Sequence, residues 1–132
     1  KTCRQHWLRF SWKDTWKAQS NSGVKSDSTL MFNDRAGFRN SSSLVWQPWC
    51  TQNMQRHILH CTTSVLMDSH LFDYRCLDVQ ESGKFIRQWI KEIHTIHGSA
   101  QILWHPQTLT KDYGWSQGFK NLLKEIQAFS ND

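Results

Sequence analysis

The feature that most constrains the fold is a helical apolar period between residues 82 and 97. Large apolar side chains recur there at spacings of three and four, which places them on one face of a helix. These side chains are Phe85, Ile86, Trp89, Ile90, Ile93 and Ile96. Ser82 is suited to cap the helix, and Gly98 to end it. Because such a stripe must be covered by other apolar groups, the pattern predicts a packed core.

Short apolar segments typical of buried strands flank this helix. Residues 57–67 (HILHCTTSVLM) precede it, and residues 100–105 (AQILWH) follow it and stop at Pro106. A last amphipathic helix is predicted over residues 115–129. Its expected inner face consists of Trp115, Phe119, Leu122, Leu123, Ile126 and Phe129.

The first part of the chain shows the same alternation of strands and helices. Asp14 is suited to cap a short helix that ends at Gly23, residues 25–30 predict a strand, and a long polar loop is expected over 33–53. Such alternation favours parallel pairing. We therefore predict an α/β fold: a partial (β/α)-barrel-like sheet with flanking helices, about three to four mostly parallel strands and about three helices. The prediction is a single domain over residues 1–132.

Charge and cysteine usage exclude several classes of protein. The net charge of +5 comes from scattered Lys and Arg with no run of three, which argues against a nucleic-acid partner. The four cysteines form no CxxC pair, so a structural zinc site is not expected and reduced thiols in the cytoplasm are predicted. No apolar stretch approaches the ~20 residues of a membrane span, and no membrane association is expected.

Histidines and one cysteine offer weaker candidate sites. His94 and His97 share a helix face and could chelate a metal, although a helix C-terminus also favours histidine. His57 and His60 lie at a strand start, where side chains three apart point to opposite faces. Cys61 neighbours His60 but should point away from it, so a buried and inert thiol is the better interpretation. No residue is assigned as a metal ligand.

Two tryptophans flank Pro48 in the long polar loop. Exposed aromatic rings of this kind stack on sugar rings, so Trp46 and Trp49 are candidate carbohydrate-binding residues. The alternative is that both rings fold back over the core. Tryptophan packs well there, and this alternative stays open.

Three segments carry a resemblance to a known family. Residues 4–40 contain an Arg-centred motif, a helix, a glycine, an Asp-containing strand and a GFR turn; residues 65–74 read VLMDSHLFDY, and residues 102–108 read ILWHPQT, followed by YGW. In this order they resemble the C-terminal half of bacterial polysaccharide deacetylases. The matching positions of the first segment are Arg4, Gly23, Asp27, Ser28, Thr29, Gly37, Phe38 and Arg39.

The resemblance implies a distorted (β/α) barrel and metal-assisted hydrolysis of an acetyl group. In that family an Asp and two His hold the metal, a second Asp acts as general base, and a late His helps to protonate the leaving amine. By resemblance, His105 matches the late histidine, Arg4 an orienting arginine and Asp27 a position near the pocket. These three are the candidate catalytic residues, and Arg39 of the GFR turn joins the candidate binding residues.

The departure from the family pattern decides the functional prediction. The chain contains no Asp-Asp pair and no HxxxH, which supply the metal ligands and the base. We therefore predict a polysaccharide deacetylase-like fragment without catalytic activity of its own and without a cofactor. One alternative is an enzyme whose partner chain supplies the ligands for zinc or another divalent metal; the other is a glycan- or protein-binding module. Uncovered sheet edges predict a two-fold dimer.

Overall fold

Residues 1–130, the part of the chain that the computed structural model describes, contain seven short strands and three α-helices. The strands are β1 (Thr2–Cys3), β2 (Ser26–Asp27), β3 (Trp49–Cys50), β4 (Gln55–Arg56), β5 (His60–Cys61), β6 (Ser64–Met67) and β7 (Gln101–Leu103). The α-helices are α1 (Thr15–Asn21), α2 (Val79–Thr95) and α3 (Ser116–Ser130). Short 3-10 turns span His6–Leu8 and Pro106–Leu109, and a π-helical turn spans His70–Tyr74. No helix within residues 1–130 is long and apolar enough to cross a membrane.

The chain forms two compact units. The first contains residues 1–33, 37–65 and 99–101, and the second contains residues 34–36, 66–98 and the described residues from 102 onward. The single domain over residues 1–132 therefore stays a prediction.

A parallel sheet organises the first unit. Its strand order is β1-β2-β5, with Asp27 of β2 paired to Cys3 on one side and to Cys61 on the other. Both pairings are parallel, which confirms the predicted α/β class, and the sheet does not close into a barrel. The predicted strand over residues 57–67 was wrong as one element, because β5 and β6 are separated at Thr62 and Thr63.

The long loop predicted over residues 33–53 contains structure. Trp49 and Cys50 form β3, which pairs in antiparallel fashion with β4 just beyond the loop. Trp46 also makes an isolated antiparallel bridge with Cys61. The loop prediction was wrong here because two-residue strands carry no alternating pattern that a sequence could display.

The core of the first unit is aromatic. Trp16 of α1 is buried with Leu59 and Cys61. The centroid of its ring lies 4.8 Å from that of Phe10 and 4.9 Å from that of Trp46. Both contacts are edge-to-face, the arrangement that the ring quadrupoles favour. A small unit thereby gains a large buried apolar area from few residues.

Helices α2 and α3 pack against each other in the second unit. The predicted cap at Ser82 was wrong: α2 begins one turn earlier, where Asp78 accepts hydrogen bonds from the backbone N–H groups of Gln80 and Glu81. The Glu81 carboxylate accepts the Asp78 backbone N–H at 3.0 Å, which completes a capping box. Ser82 is buried inside the helix and donates its hydroxyl to the Val79 carbonyl.

The apolar stripes of both helices are narrower than the sequence predicted. Ile86 and Ile90 of α2 are buried, and so is Leu122 of α3, whereas Ile96, Leu123 and Ile126 are exposed. The predicted inner positions of these last three were wrong. Gly118 and Leu122, four residues apart, form the buried stripe of α3, and Leu123 lies about 100° around the helix from Leu122.

Candidate functional site

The best-connected polar cluster of the second unit surrounds Asp68. This residue follows β6 directly, and every residue of that strand is buried. The Asp68 side chain is 0% exposed. An ionised carboxylate in such a place is stable only if hydrogen-bond donors replace its lost water.

Four donors surround the Asp68 carboxylate. Oδ1 accepts the backbone N–H of Ser69 at 2.9 Å and lies 2.7 Å from Nδ1 of His105. Oδ2 accepts the backbone N–H of His105 at 2.9 Å and the hydroxyl of Thr108 at 2.8 Å. Both oxygen atoms therefore have two partners each, and His105 is held through its main chain as well as its ring.

The carboxylate fixes the chemistry of the His105 ring. Because ionised Asp68 can only accept, the proton of the neutral imidazole lies on Nδ1, and Nε2 carries the lone pair. The His105 side chain is 40% exposed, so water and small molecules reach the ring. A buried carboxylate that orients a histidine in this way is the arrangement that prepares an imidazole for general acid–base catalysis.

The segment around His105 is rigid by local construction. Pro106 begins a 3-10 turn, and Thr108 is buried. The Thr108 hydroxyl oxygen lies 2.7 Å from the His105 carbonyl and 2.8 Å from Oδ2 of Asp68, so its one proton is shared between these two acceptors. The turn thereby places Thr108, its third residue, next to the Asp68 carboxylate. His105 and Asp68 lie in two separate sequence motifs, and neither motif predicts a role for Asp68 or Thr108. A lone Asp directly after the apolar run of residues 65–67 was the sequence feature that could have indicated a role for Asp68.

Arg4 and Asp27 come together in the first unit. Asp27 is buried and accepts hydrogen bonds from the side chains of Gln19 and Thr29, at 2.7 and 2.6 Å. Arg4 donates from Nε to the hydroxyl of Ser28 at 3.1 Å. Burial lowers the pKa of Arg4, and the negative charge of Asp27 partly offsets this effect. The donors from Gln19 and Thr29 therefore occupy the Asp27 carboxylate at the end of β2.

The candidate binding residues lie in different environments of the first unit. Trp46 is half-buried against Trp16, so one edge of its ring belongs to the core. Trp49 is 53% exposed on β3 and is the ring with a free surface for stacking. Arg39 donates to the backbone carbonyl of Met31 at 3.2 Å, which fixes the loop that follows β2.

The remaining candidate groups have local explanations. The ring of His94 lies 5.4 Å from that of Phe129, and His57 Nδ1 lies 3.2 Å from the hydroxyl of Ser20. Cys61 is buried, and burial, with the negative charge of Asp27, raises the pKa of its thiol to about 12. Within residues 1–130, no three His, Cys, Asp or Glu side chains are grouped so that they could hold a metal ion.

Comparisons of the chain with protein-family models, with curated proteins and with solved structures give no match in any of the three. The resemblance to deacetylases therefore stays a prediction. The arrangement of Asp68, His105 and Thr108 is the feature of the second unit from which a function can be argued.

Proposed function

We propose that the chain is a polysaccharide deacetylase-like protein that carries the acid–base part of the site and does not release acetate on its own. The observation that carries the proposal is the His105 ring, which buried Asp68 holds through Nδ1 at 2.7 Å. This is the position that the resemblance assigns to the late histidine.

The proposed role of His105 follows from the reaction. When an N-acetyl group is hydrolysed, water adds to the carbonyl carbon, and the carbon–nitrogen bond breaks as the nitrogen atom takes up a proton. A protonated His105 can donate that proton from Nε2, while the negative charge of Asp68 stabilises the imidazolium until the transfer. The ring then returns to its neutral form with its Nδ1 proton still shared with Asp68.

Activation of the water is the part that the described residues do not supply. A metal ion does not fit them, because no suitable group of three ligands occurs within residues 1–130. Under the alternative in which a partner chain completes the enzyme, that partner provides both the metal ligands and the base.

The test combines sugar binding with acetate release. Penta-N-acetylchitopentaose is added to the chain, and the His105 ring signals are followed by nuclear magnetic resonance while acetate is measured with and without added zinc. We expect the His105 signals to shift on sugar addition and no acetate to appear above the level of a His105→Ala control. Unchanged ring signals at saturating sugar would refute the assignment to deacetylases. Acetate release that depends on His105 would refute the claim of inactivity.

A second candidate function is a glycan-binding module, and the exposure of Trp49 favours it. The ring is 53% exposed, whereas that of Trp46 is engaged with the core. Sugar binding that is lost in Trp49→Ala and unchanged in His105→Ala would favour the module over the deacetylase-like protein.

Cellular location and assembly belong to the same proposal. The four cysteines Cys3, Cys50, Cys61 and Cys76 are free thiols, which fits a reducing compartment, and we place the protein in the cytoplasm. The edge strand β1 supports the proposal of a two-fold dimer, because an uncovered edge offers unpaired backbone groups to another chain.

A further inference from the structure

An open pocket of about 340 Å³ lies in the first unit between α1 and the β3–β4 hairpin. Three of its lining residues come from one face of α1, because Lys17, Ser20 and Asn21 are spaced by three and four positions. The hairpin side contributes Arg56 and the following residue His57. The pocket therefore combines two unrelated stretches of sequence, one helical and one extended.

The charge of this pocket is one-sided. Lys17 and Arg56 are both cationic, and no Asp or Glu lines the pocket. Neither cation makes an ion pair with any residue between 1 and 130. The groove between α2 and α3 differs because its lining includes an acidic residue, Glu125, which pairs with Arg87 at 2.8 Å. Positive charge without a protein counter-charge is available to an anion.

His57 is fixed within this pocket. Its backbone N–H donates to the Pro48 carbonyl at 2.8 Å, and its carbonyl accepts from the Gln47 side chain at 3.1 Å. The Ser20 hydroxyl lies 3.2 Å from Nδ1. When Ser20 donates to Nδ1, the neutral ring carries its proton on Nε2 and can donate it to a ligand.

Neutral amide side chains, which can donate hydrogen bonds, form much of the remaining wall beside Cys50 and Ile58. The amide side chains of Gln52, Asn53 and Gln55 line it together with Asn21. The C-terminus of α1 carries a partial negative charge, which disfavours a bound anion. Its last carbonyls, those of Ala18, Gln19 and Ser20, already accept hydrogen bonds from the residues after the helix. Two full cations outweigh what remains of this dipole, which is equivalent to roughly half a charge even in a long helix.

We propose that this pocket binds a phosphate group, with Lys17 and Arg56 as the charged contacts and His57 as a fixed donor. The guanidinium of Arg56 matches two oxygen atoms of a phosphate at once, whereas the ammonium of Lys17 acts as a point charge. The site is independent of His105, and it needs no deacetylase activity. The phosphate group is either free or attached to a sugar. Trp49 distinguishes the two, because it pairs directly with Arg56 across the hairpin and is exposed.

The test is a titration of the whole chain with inorganic phosphate at constant ionic strength, followed through backbone amide resonances. We expect saturable shifts confined to residues 17–21 and 50–58, with a dissociation constant on the order of 1 mM, because exposed charges are screened. Arg56→Gln and Lys17→Gln should each weaken binding about tenfold, the loss expected for one charge-assisted hydrogen bond. The matched control is Lys13→Gln, which removes one exposed charge just before α1 and outside the pocket.

Glucose 6-phosphate and glucose are titrated in parallel. A tighter complex with glucose 6-phosphate, lost in Trp49→Ala, identifies a sugar phosphate; equal binding of both phosphates, unchanged in Trp49→Ala, identifies the free anion. Either result supports the pocket. The proposal is overturned if no saturable shifts occur at about 20 mM phosphate, well above the expected constant, or if Lys13→Gln weakens binding as much as Arg56→Gln. All four variants change exposed side chains, and circular dichroism verifies that they remain folded.

Discussion

The substitution Gly118→Ala tests how closely α3 approaches the aromatic rings of the second unit. A Cβ atom at position 118 would lie 2.5 Å from Cζ of Phe72 and 3.3 Å from Cη2 of Trp104. Carbon atoms in contact normally lie about 3.5–4.0 Å apart, so the Phe72 ring would have to move by about 1 Å. It has little room, because it stacks on Trp115 with 5.0 Å between centroids.

The magnitude follows from two opposing effects. Overpacking of this kind costs about 1–3 kcal/mol, and replacement of a helical glycine by alanine returns roughly 0.5–1 kcal/mol. We therefore expect Gly118→Ala to lower the free energy of unfolding by about 1–2 kcal/mol, measured by urea denaturation.

Gly83→Ala is the matched control in α2. The added Cβ would lie 3.7 Å from Nδ2 of Asn121, an ordinary contact, so only the helix preference remains. This variant should be more stable than the wild type by up to about 1 kcal/mol. If Gly118→Ala is as stable as Gly83→Ala, the packing described for α3 is wrong.

Three further predictions concern the Cys61 thiol, the cap of α2 and the assembly of the chain. The pKa of the Cys61 thiol is raised from 9.0 to about 12 by burial, so the unfolded chain loses this proton at a lower pH than the folded chain. Between these two pH values the free energy of unfolding should therefore fall by about 1.4 kcal/mol per pH unit. The variant Cys61→Ala should lack this contribution to the pH dependence. Asp78→Ala should cost about 1 kcal/mol through loss of the α2 cap, whereas exposed Asp112→Ala should leave the melting temperature unchanged. Sedimentation velocity at about 50 µM should show a dimer, and a monomer alone would contradict the proposed assembly.

The parts of the fold that the sequence predicted are those with a local cause. The apolar period of α2 identified the helix and its buried residues Ile86 and Ile90, and alternation of strands and helices predicted the parallel sheet. The predicted boundaries are less accurate, because Asp78 and Glu81 form the cap of α2 whereas Ser82 was the predicted cap. Sequence spacing cannot decide between two capping residues one helical turn apart when both precede the same apolar stripe.

The candidate site was predictable only in part. His105 was selected by resemblance, but its partner Asp68 lies 37 residues away, and a contact at that separation depends on tertiary packing. The same holds for Ser20 and His57, which are also 37 residues apart. Amphipathic periodicity describes one element at a time, so it predicts which face is buried and not which polar side chains meet.

The most direct test of the account is the tautomer of His105, measured by long-range proton–nitrogen correlation on the ¹⁵N-labelled chain at a pH where the ring is neutral. Oδ1 of the buried Asp68 lies 2.7 Å from Nδ1 of His105, so we predict a proton on Nδ1 and an unprotonated Nε2. Exposed His97 serves as an internal reference in the same spectrum. A His105 ring that carries its proton on Nε2 would contradict the pair and remove the basis of the proposed acid–base role.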